Sequence, residues 1–470
     1  MICTRMRLSF LLIPLLLAAA PVVASGAERI KPRLIVLTDV SNEPDDEESL
    51  VRLLVYANEF DIEGLVATTS VHLKESPRED ILHKFVQAYG KVQMNLSAHA
   101  QGFPTAEVLD QRIKTGAKSY GLAAVGPGKS TPGSQQIIAA VDAADPRPVW
   151  VAVWGGANTL AQSLFDVRAT RTRQQIDSFV AKLRIYAISD QDDAGQWIRK
   201  AFKALAYVVS PGTVGSSEYY KATWTGISGD RFYKNGPGID LAFVRNAWLA
   251  RNVIEGHGPL GALYPKWKYI MEGDTPSFLN LIGNGLAAEE DPTRGGWGGR
   301  YALTQTYGET RPIYTNSRDT VSQNTSAQAT IWRWRSAFQN DFAARMDWCT
   351  TAMRAKANHN PVLVLQGDAS KNAVTIEARP GTPVTVSSAG SVDPDGQPLA
   401  FSWFVYPEAG TALIEVSQRV AIHPSANGTK VTLTIPSDSP EGTVHVILAA
   451  QDNGTPRLTS YRRLVVTINR

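Results

Sequence analysis

The stretch Arg33-Leu-Ile-Val-Leu-Thr-Asp39-Val-Ser-Asn-Glu-Pro-Asp45-Asp46-Glu-Glu-Ser49 decides how this chain folds. Leu34 to Leu37 is continuously apolar, the pattern of a strand covered on both faces. Pro44 followed by Asp45, Asp46 and Glu47 starts a helix, because proline and acids suit a first turn. Leu50, Leu53, Leu54 and Ala57 mark that helix's inner face. Ligands of an open α/β sheet bind at the carboxyl ends of its strands, so Asp39, Asp45 and Asp46 are expected to converge. Carboxylates that close repel one another unless a hard cation neutralises them, and Ca²⁺ takes such an oxygen-rich set. Acids at a helix N-terminus also complement its dipole and cap its free N–H groups. Asp39, at the strand end, lies outside the capping positions.

Working outward, apolar runs at Leu34–Thr38, Ile62–Thr69, Val149–Trp154, Leu183–Ser189 and Ala206–Val209 read as strands. Amphipathic segments at Arg78–Tyr89, Gln135–Ala143, Thr159–Phe165 and Ala194–Ala204 read as the helices between them. This alternation predicts a mostly parallel, Rossmann-like α/β sheet with helices on both faces. Residues 210–311 are rich in Gly, Trp and Tyr; loops such as Glu255-Gly-His-Gly-Pro259 and Gly295-Gly-Trp-Gly-Gly-Arg300 suit a substrate-facing rim or an irregular packed cap. A long helix is expected over Thr325–Lys356, with Ile331, Trp334, Phe338 and Phe342 on one face. Beyond Ala357 short alternating segments separated by turns such as Asp393-Pro-Asp-Gly396 predict an all-β, immunoglobulin-like sandwich over 361–470. Asp393 and Asp395 fit a plain turn better than a cation site.

The first 27 residues read as an export signal. Arg5 and Arg7 precede an apolar stretch from Leu8 to Val23, and small residues follow at Val22-Val-Ala24 and Ser25-Gly-Ala27. That stretch is short for a membrane span, and no second candidate span follows, so a soluble periplasmic or extracellular protein is expected. Removing Arg5 and Arg7 from the 47 basic side chains leaves 45 against 44 acidic ones. Such a balance gives no footprint for nucleic acid or an anionic membrane. Cys3 leaves with the signal and Cys349 remains alone, so no internal disulfide forms, which is compatible with a bacterial periplasm. The sequence sets no oligomeric state.

Three motifs in order, Thr38-Asp39 with Glu43-Pro-Asp45-Asp46, Trp154-Gly-Gly-Ala-Asn158-Thr-Leu-Ala161 and Glu272-Gly-Asp274-Thr-Pro-Ser-Phe-Leu279, resemble the nucleoside-hydrolase superfamily. More narrowly, the chain is similar to an exported nucleoside-hydrolase-like family described as cellulose-binding, with a C-terminal immunoglobulin-like domain. The resemblance implies an α/β domain over 30–357 and a Ca²⁺ site. In it, Asp39 is both metal ligand and base toward the attacking water, and Asp46 is the second metal carboxylate. Asp274 is the last carboxylate, and the main-chain carbonyl of Asn158 is a ligand. Asp45 is implied to hold a sugar hydroxyl.

The departures are equally specific. Five residues, not three, separate Asp39 from Asp45, and Leu37 stands where the usual motif has its first carboxylate. Gly273 occupies the place of a histidine that protonates the departing base, leaving His72 or His257 as candidate acids. Asp190 and Gln191, in Ser189-Asp190-Gln191-Asp192-Asp193, lie where the family binds the sugar 5′-hydroxyl; Asp192 and Asp193 equally suit capping of the helix that follows. Trp224, Trp267 and Trp297 are candidate stacking surfaces for sugar rings or core residues. Two functions follow from the resemblance. The first is Ca²⁺-dependent hydrolysis of N-glycosyl or related glycosyl bonds in a small nucleoside-like ligand. The alternative is non-catalytic binding of a cellulose-type polysaccharide.

Overall fold

A computed structural model describes residues 30–469 apart from 42, 212–216, 230–239, 267 and 307. The expected export signal and Trp267 lie outside the described residues. Eight strands form the larger sheet: β1 (Arg33–Thr38), β2 (Asp61–Ala67), β3 (Ile113–Thr115), β4 (Val149–Val153), β5 (Leu183–Ala187), β6 (Ala206–Val209), β7 (Tyr301–Thr304) and β8 (Ile313–Asn316). Their order is β3-β2-β1-β4-β5-β6-β8-β7. All neighbours run parallel except β7, which is antiparallel to β8.

Strand β1 is central, and all six of its residues are buried. Side chains alternate across a strand, so Leu34 and Val36 enter one core with Leu50, Leu53, Leu54 and Ala57. Ile35 and Leu37 enter the other, with Ile137, Leu160 and Leu164. Strands β2 and β5 each stop two residues before the apolar run suggests. Thr68–Ser70 and Ile188–Asp190 leave the sheet at its carboxyl edge, where the Ser70 hydroxyl reaches Asp39 and the Ser189 hydroxyl accepts the Trp224 indole.

The helix expected over Thr325–Lys356 is instead broken. Strands β9 (Asp319–Val321) and β10 (Asn324–Ser326) form a hairpin, followed by helices Ala329–Trp332 and Arg335–Trp348. Between the helices Trp334 adopts φ −102° and ψ 1°. Its indole packs against Phe404, Tyr406 and Tyr461 of the C-terminal domain, and that docking replaces a continuous helical face.

The C-terminal domain contains β11 (Val374–Ala378), β12 (Pro383–Ser387), β13 (Ala400–Tyr406), β14 (Ala421–Pro424), β15 (Lys430–Thr434), β16 (Gly442–Gln451) and β17 (Thr459–Ile468). A four-stranded sheet, β11-β17-β16-β13, faces a three-stranded sheet, β12-β15-β14. Pairs are antiparallel except β11 with β17. On β16, Val444, Val446 and Leu448 fill the space between the sheets, with Val431 and Leu433 opposite. The alternate residues Ile447 and Ala449 join the core of the α/β domain, as do Tyr406 and Tyr461. Much of the four-stranded sheet is thus covered on both faces. The Gly295–Arg300 loop belongs to this junction, not to a substrate rim: a side chain at Gly295 would meet the Tyr406 hydroxyl at 2.3 Å. Among the described residues, no helix is long and apolar enough to cross a membrane.

Candidate metal and ligand cleft

The carboxyl ends of β1, β4 and β5 open into a cleft of about 220 Å³. It is lined by Asp39, Glu43, Asp45, Asp46 and Asp274, by His72 and Gln191, and by Trp154, Ile188, Tyr219, Trp224, Tyr269 and Ile270. Asp39 is the first residue past β1. Asp45 and Asp46 lie in the first turn of the Pro44–Val55 helix. Glu43, in the N-cap place, makes no capping bond through its side chain, and Asp46 instead accepts the Thr38 hydroxyl. Glu43 and Asp46 are therefore not committed to capping. Carboxylate oxygens of Asp45, Asp46 and Asp274 all lie within 4.8 Å of one another, although Asp274 is more than two hundred residues away in sequence. Asp274 Oδ2 is buried and has no hydrogen-bond partner.

Electrostatically this cluster is under tension. Burial, then repulsion from Glu43 and Asp39, pushes the Asp45 carboxyl up to about 8. Burial raises Asp46 well above the ordinary range, with repulsion from Asp39 and Asp45 adding to it. Asp274 is raised by burial and then by Asp46, Asp45 and Asp39. Burial also raises Asp39, but the Ser70 hydroxyl and the nearby His72 favour its charged form. An orphaned carboxylate oxygen beside two more carboxylates fits a bound cation, whose charge would reverse every one of these shifts.

The glycines of the second motif make room for acids. A Cβ at Gly155 would lie 2.5 Å from Asp39 Oδ1, and one at Gly156 the same distance from Asp192 Oδ2. Asp192 Oδ2 accepts the Asn158 N–H at 3.0 Å and Oδ1 accepts the Ala194 N–H at 3.0 Å, so one carboxylate caps two helices. At Gly273 a Cβ would meet Asp45 Oδ2 at 2.7 Å and the Trp224 ring at 3.0 Å. The place of the usual histidine is filled by neighbours.

Several expected site residues lie elsewhere. Asn158 is fully buried and absent from the cleft lining, its side chain bonded to Thr68, Thr69 and Ser119. The Trp154 carbonyl accepts Gln191 Nε2 at 2.5 Å, a main-chain oxygen bonded within the cleft lining. Asp190 forms a two-pronged pair with Arg199, both bonds 2.8 Å, and is absent from the cleft lining. His257 pairs with Asp347 at 3.1 Å, near the end of the Arg335–Trp348 helix. Trp297 is core, set edge-on to Phe338 beneath the C-terminal domain. Gln191, His72 and Trp224 do line the cleft, joined by Trp154, Tyr219 and Tyr269, which sequence reasoning did not single out. Trp154 directly follows β4 and opens the second motif, the signals that could have found it.

Fold and cleft together define a nucleoside-hydrolase-like scaffold. The chain belongs to the Sde182 family: residues 33–301 match its cellulose-binding, nucleoside-hydrolase-like domain, and residues 383–468 match the C-terminal domain of the cellulose-binding protein Sde0182. It is 37% identical to a nucleoside-hydrolase-related protein of Saccharophagus degradans that is associated with carbohydrate metabolism. That match covers 93% of this chain and all of the other, with a TM-score of 0.80. The type III effector XopQ, solved with adenosine diphosphate ribose, is 13% identical over 70% of this chain and 95% of its own, with a TM-score of 0.32. At that score the likeness carries no weight. No curated protein matches the chain.

Proposed function

We propose that this protein is an exported, Ca²⁺-dependent hydrolase of N-glycosyl or related glycosyl bonds. The observation that carries the reading is the convergence of Asp45, Asp46 and Asp274 in the lining of one cleft, with Asp274 Oδ2 left unpaired. Asp39, Asp46 and Asp274 would hold the ion, Asp39 reaching it from the cleft lining outside the close group that Asp45 completes. Bound there, Ca²⁺ supplies positive charge that orders a sugar diol and acidifies water. Asp39, oriented by Ser70, takes the proton of the water that attacks the anomeric carbon. As the glycosyl bond breaks, positive charge grows on the sugar, and the surrounding carboxylates favour that state. Asp45 accepts a hydrogen bond from a sugar hydroxyl. Trp224 and Tyr219, set edge-to-face with centroids 5.4 Å apart, offer apolar surface to the ring or its leaving group.

Binding without turnover has its own supporting observation. Gly273 and the packing around it leave no room for a side chain at the place of the usual acid, and the family is described as cellulose-binding. The two readings separate in an assay of nucleosides and glycosides with graded leaving groups at saturating Ca²⁺. Hydrolysis is expected, fastest for groups that depart without protonation. Asp39→Asn is expected to lower the rate about 10²–10⁴-fold with a smaller change in sugar affinity. Ligand binding with no cleavage of any substrate by the wild type would replace the hydrolase reading with the binding one.

A further inference from the structure

Behind the cleft lies a buried polar assembly that none of the proposed chemistry uses. Glu272 is fully buried and holds a left-handed backbone, φ +51°, unusual for a residue with a side chain. Its Oε1 accepts Arg52 Nη2 at 3.0 Å and the Tyr264 hydroxyl at 2.7 Å. Its Oε2 accepts Arg52 Nε, and Thr275 Oγ1 lies 3.0 Å away. The Glu272 N–H donates to Glu48 Oε2 at 2.8 Å, and Thr275 Oγ1 is also 3.0 Å from Ser49 Oγ. Arg52 in turn reaches the Phe338 carbonyl at 3.2 Å and Gln339 Oε1, and its guanidinium stacks 4.0 Å from the centre of the Phe342 ring.

The register explains the arrangement. Glu48, Ser49 and Arg52 stand three, four and seven residues after Asp45, so all share its face of the helix. That one face presents Asp45 to the cation cluster and grips the turn 272–275, which carries Asp274. Without the grip, repulsion among Asp39, Asp45, Asp46 and Asp274 would drive the turn away. A strained backbone persists only where its surroundings over-determine it, and a guanidinium–carboxylate fork fixes direction as well as distance.

We infer that Arg52 and Glu272, with Tyr264 and Thr275, are positioning residues that hold Asp274 opposite Asp45 and Asp46 for the cation. This rests on the metal reading above. The test is calorimetric titration of the full chain with Ca²⁺. Glu272→Gln leaves a buried guanidinium unpaired and is expected to destabilise the fold, so the informative variant is Arg52→Met with Glu272→Met. Replacing a buried ion pair by apolar residues commonly preserves stability. The double variant is expected to keep the melting temperature of the metal-free protein and lose about tenfold or more in Ca²⁺ affinity. Arg52→Lys, which keeps the charge but not the fork, is expected to lose affinity as well, and Tyr264→Phe to lose less. A folded double variant that binds Ca²⁺ like the wild type would overturn the positioning inference alone. A wild type that binds no Ca²⁺ would overturn the metal reading and this inference with it.

Discussion

At Asp274 a single carboxylate carries two opposed expectations. Without a cation it is a buried acid pushed up by burial and four neighbouring acids, so removing it should relieve repulsion. Asp274→Asn is expected to melt higher than the wild type in chelator, yet to gain nothing when Ca²⁺ is added, whereas the wild type gains. Thermal unfolding with and without Ca²⁺ checks both signs; a variant that is less stable in chelator would count against the cluster. Restoring a histidine at position 273 should fail for steric reasons, because the Trp224 ring and Asp45 already fill the space. Gly273→His is expected to weaken Ca²⁺ binding and raise no activity, measured by titration and by turnover. Asp39, Asp45 and Asp46 were legible in the sequence because a buried strand running into a proline-started helix places them by rule. Asp190 was not, because the Arg199 that captures it lies one helix further on and nothing local marks the pair. Trp297 misled for a related reason: a tryptophan among glycines reads as a loop platform until a second domain is laid over it.

Among the elements, continuous apolar runs gave β1, β2, β4, β5 and the short β6 to within about two residues. Strands β3 and β7 to β10 are three or four residues long, too short to express a period. The periodic apolar face over 331–342 was real, but the sequence could not reveal that Trp334 turns out of the helix toward another domain. Strand β16 shows what such two-sided burial does to a titrating group. His445 Nδ1 lies 2.9 Å from Arg463 Nη1, while Arg463 also donates to the Leu286 and Gly295 carbonyls. Burial, then Arg463, pushes the imidazole down to about 3. The unfolded chain therefore takes up a proton that the native state refuses between its ordinary value, about 6.5, and 3. This contribution to stability is complete above that window and is lost as pH falls through it. His445→Asn, which retains an acceptor for Arg463, is expected to flatten the acid side of the stability profile, measured by denaturant unfolding from pH 7 to 4. An unchanged slope would count against it.

For the whole molecule, the two domains share one apolar core through Trp334, Tyr406, Ile447, Ala449 and Tyr461. A buried carboxylate, Asp319, adds a polar tie by accepting Arg300, Arg333 and the Tyr406 hydroxyl at 2.6–2.8 Å. Domains joined this way should melt together. Scanning calorimetry is expected to give one transition, and Trp334→Ala, at a cost of about 3–5 kcal/mol, to lower it without splitting it. Two transitions in the wild type would mean that the junction contributes little. Among the described residues the C-terminal domain supplies none to the cleft lining, so its place in this account is to hold the α/β domain. The central claim is that a cation organises the cleft, and a crystal structure of the full chain at saturating Ca²⁺ tests it most directly. The account predicts one ion with oxygens of Asp39, Asp46 and Asp274 at about 2.3–2.6 Å. A cleft without an ion under those conditions, or an ion held only elsewhere on the molecule, would contradict it.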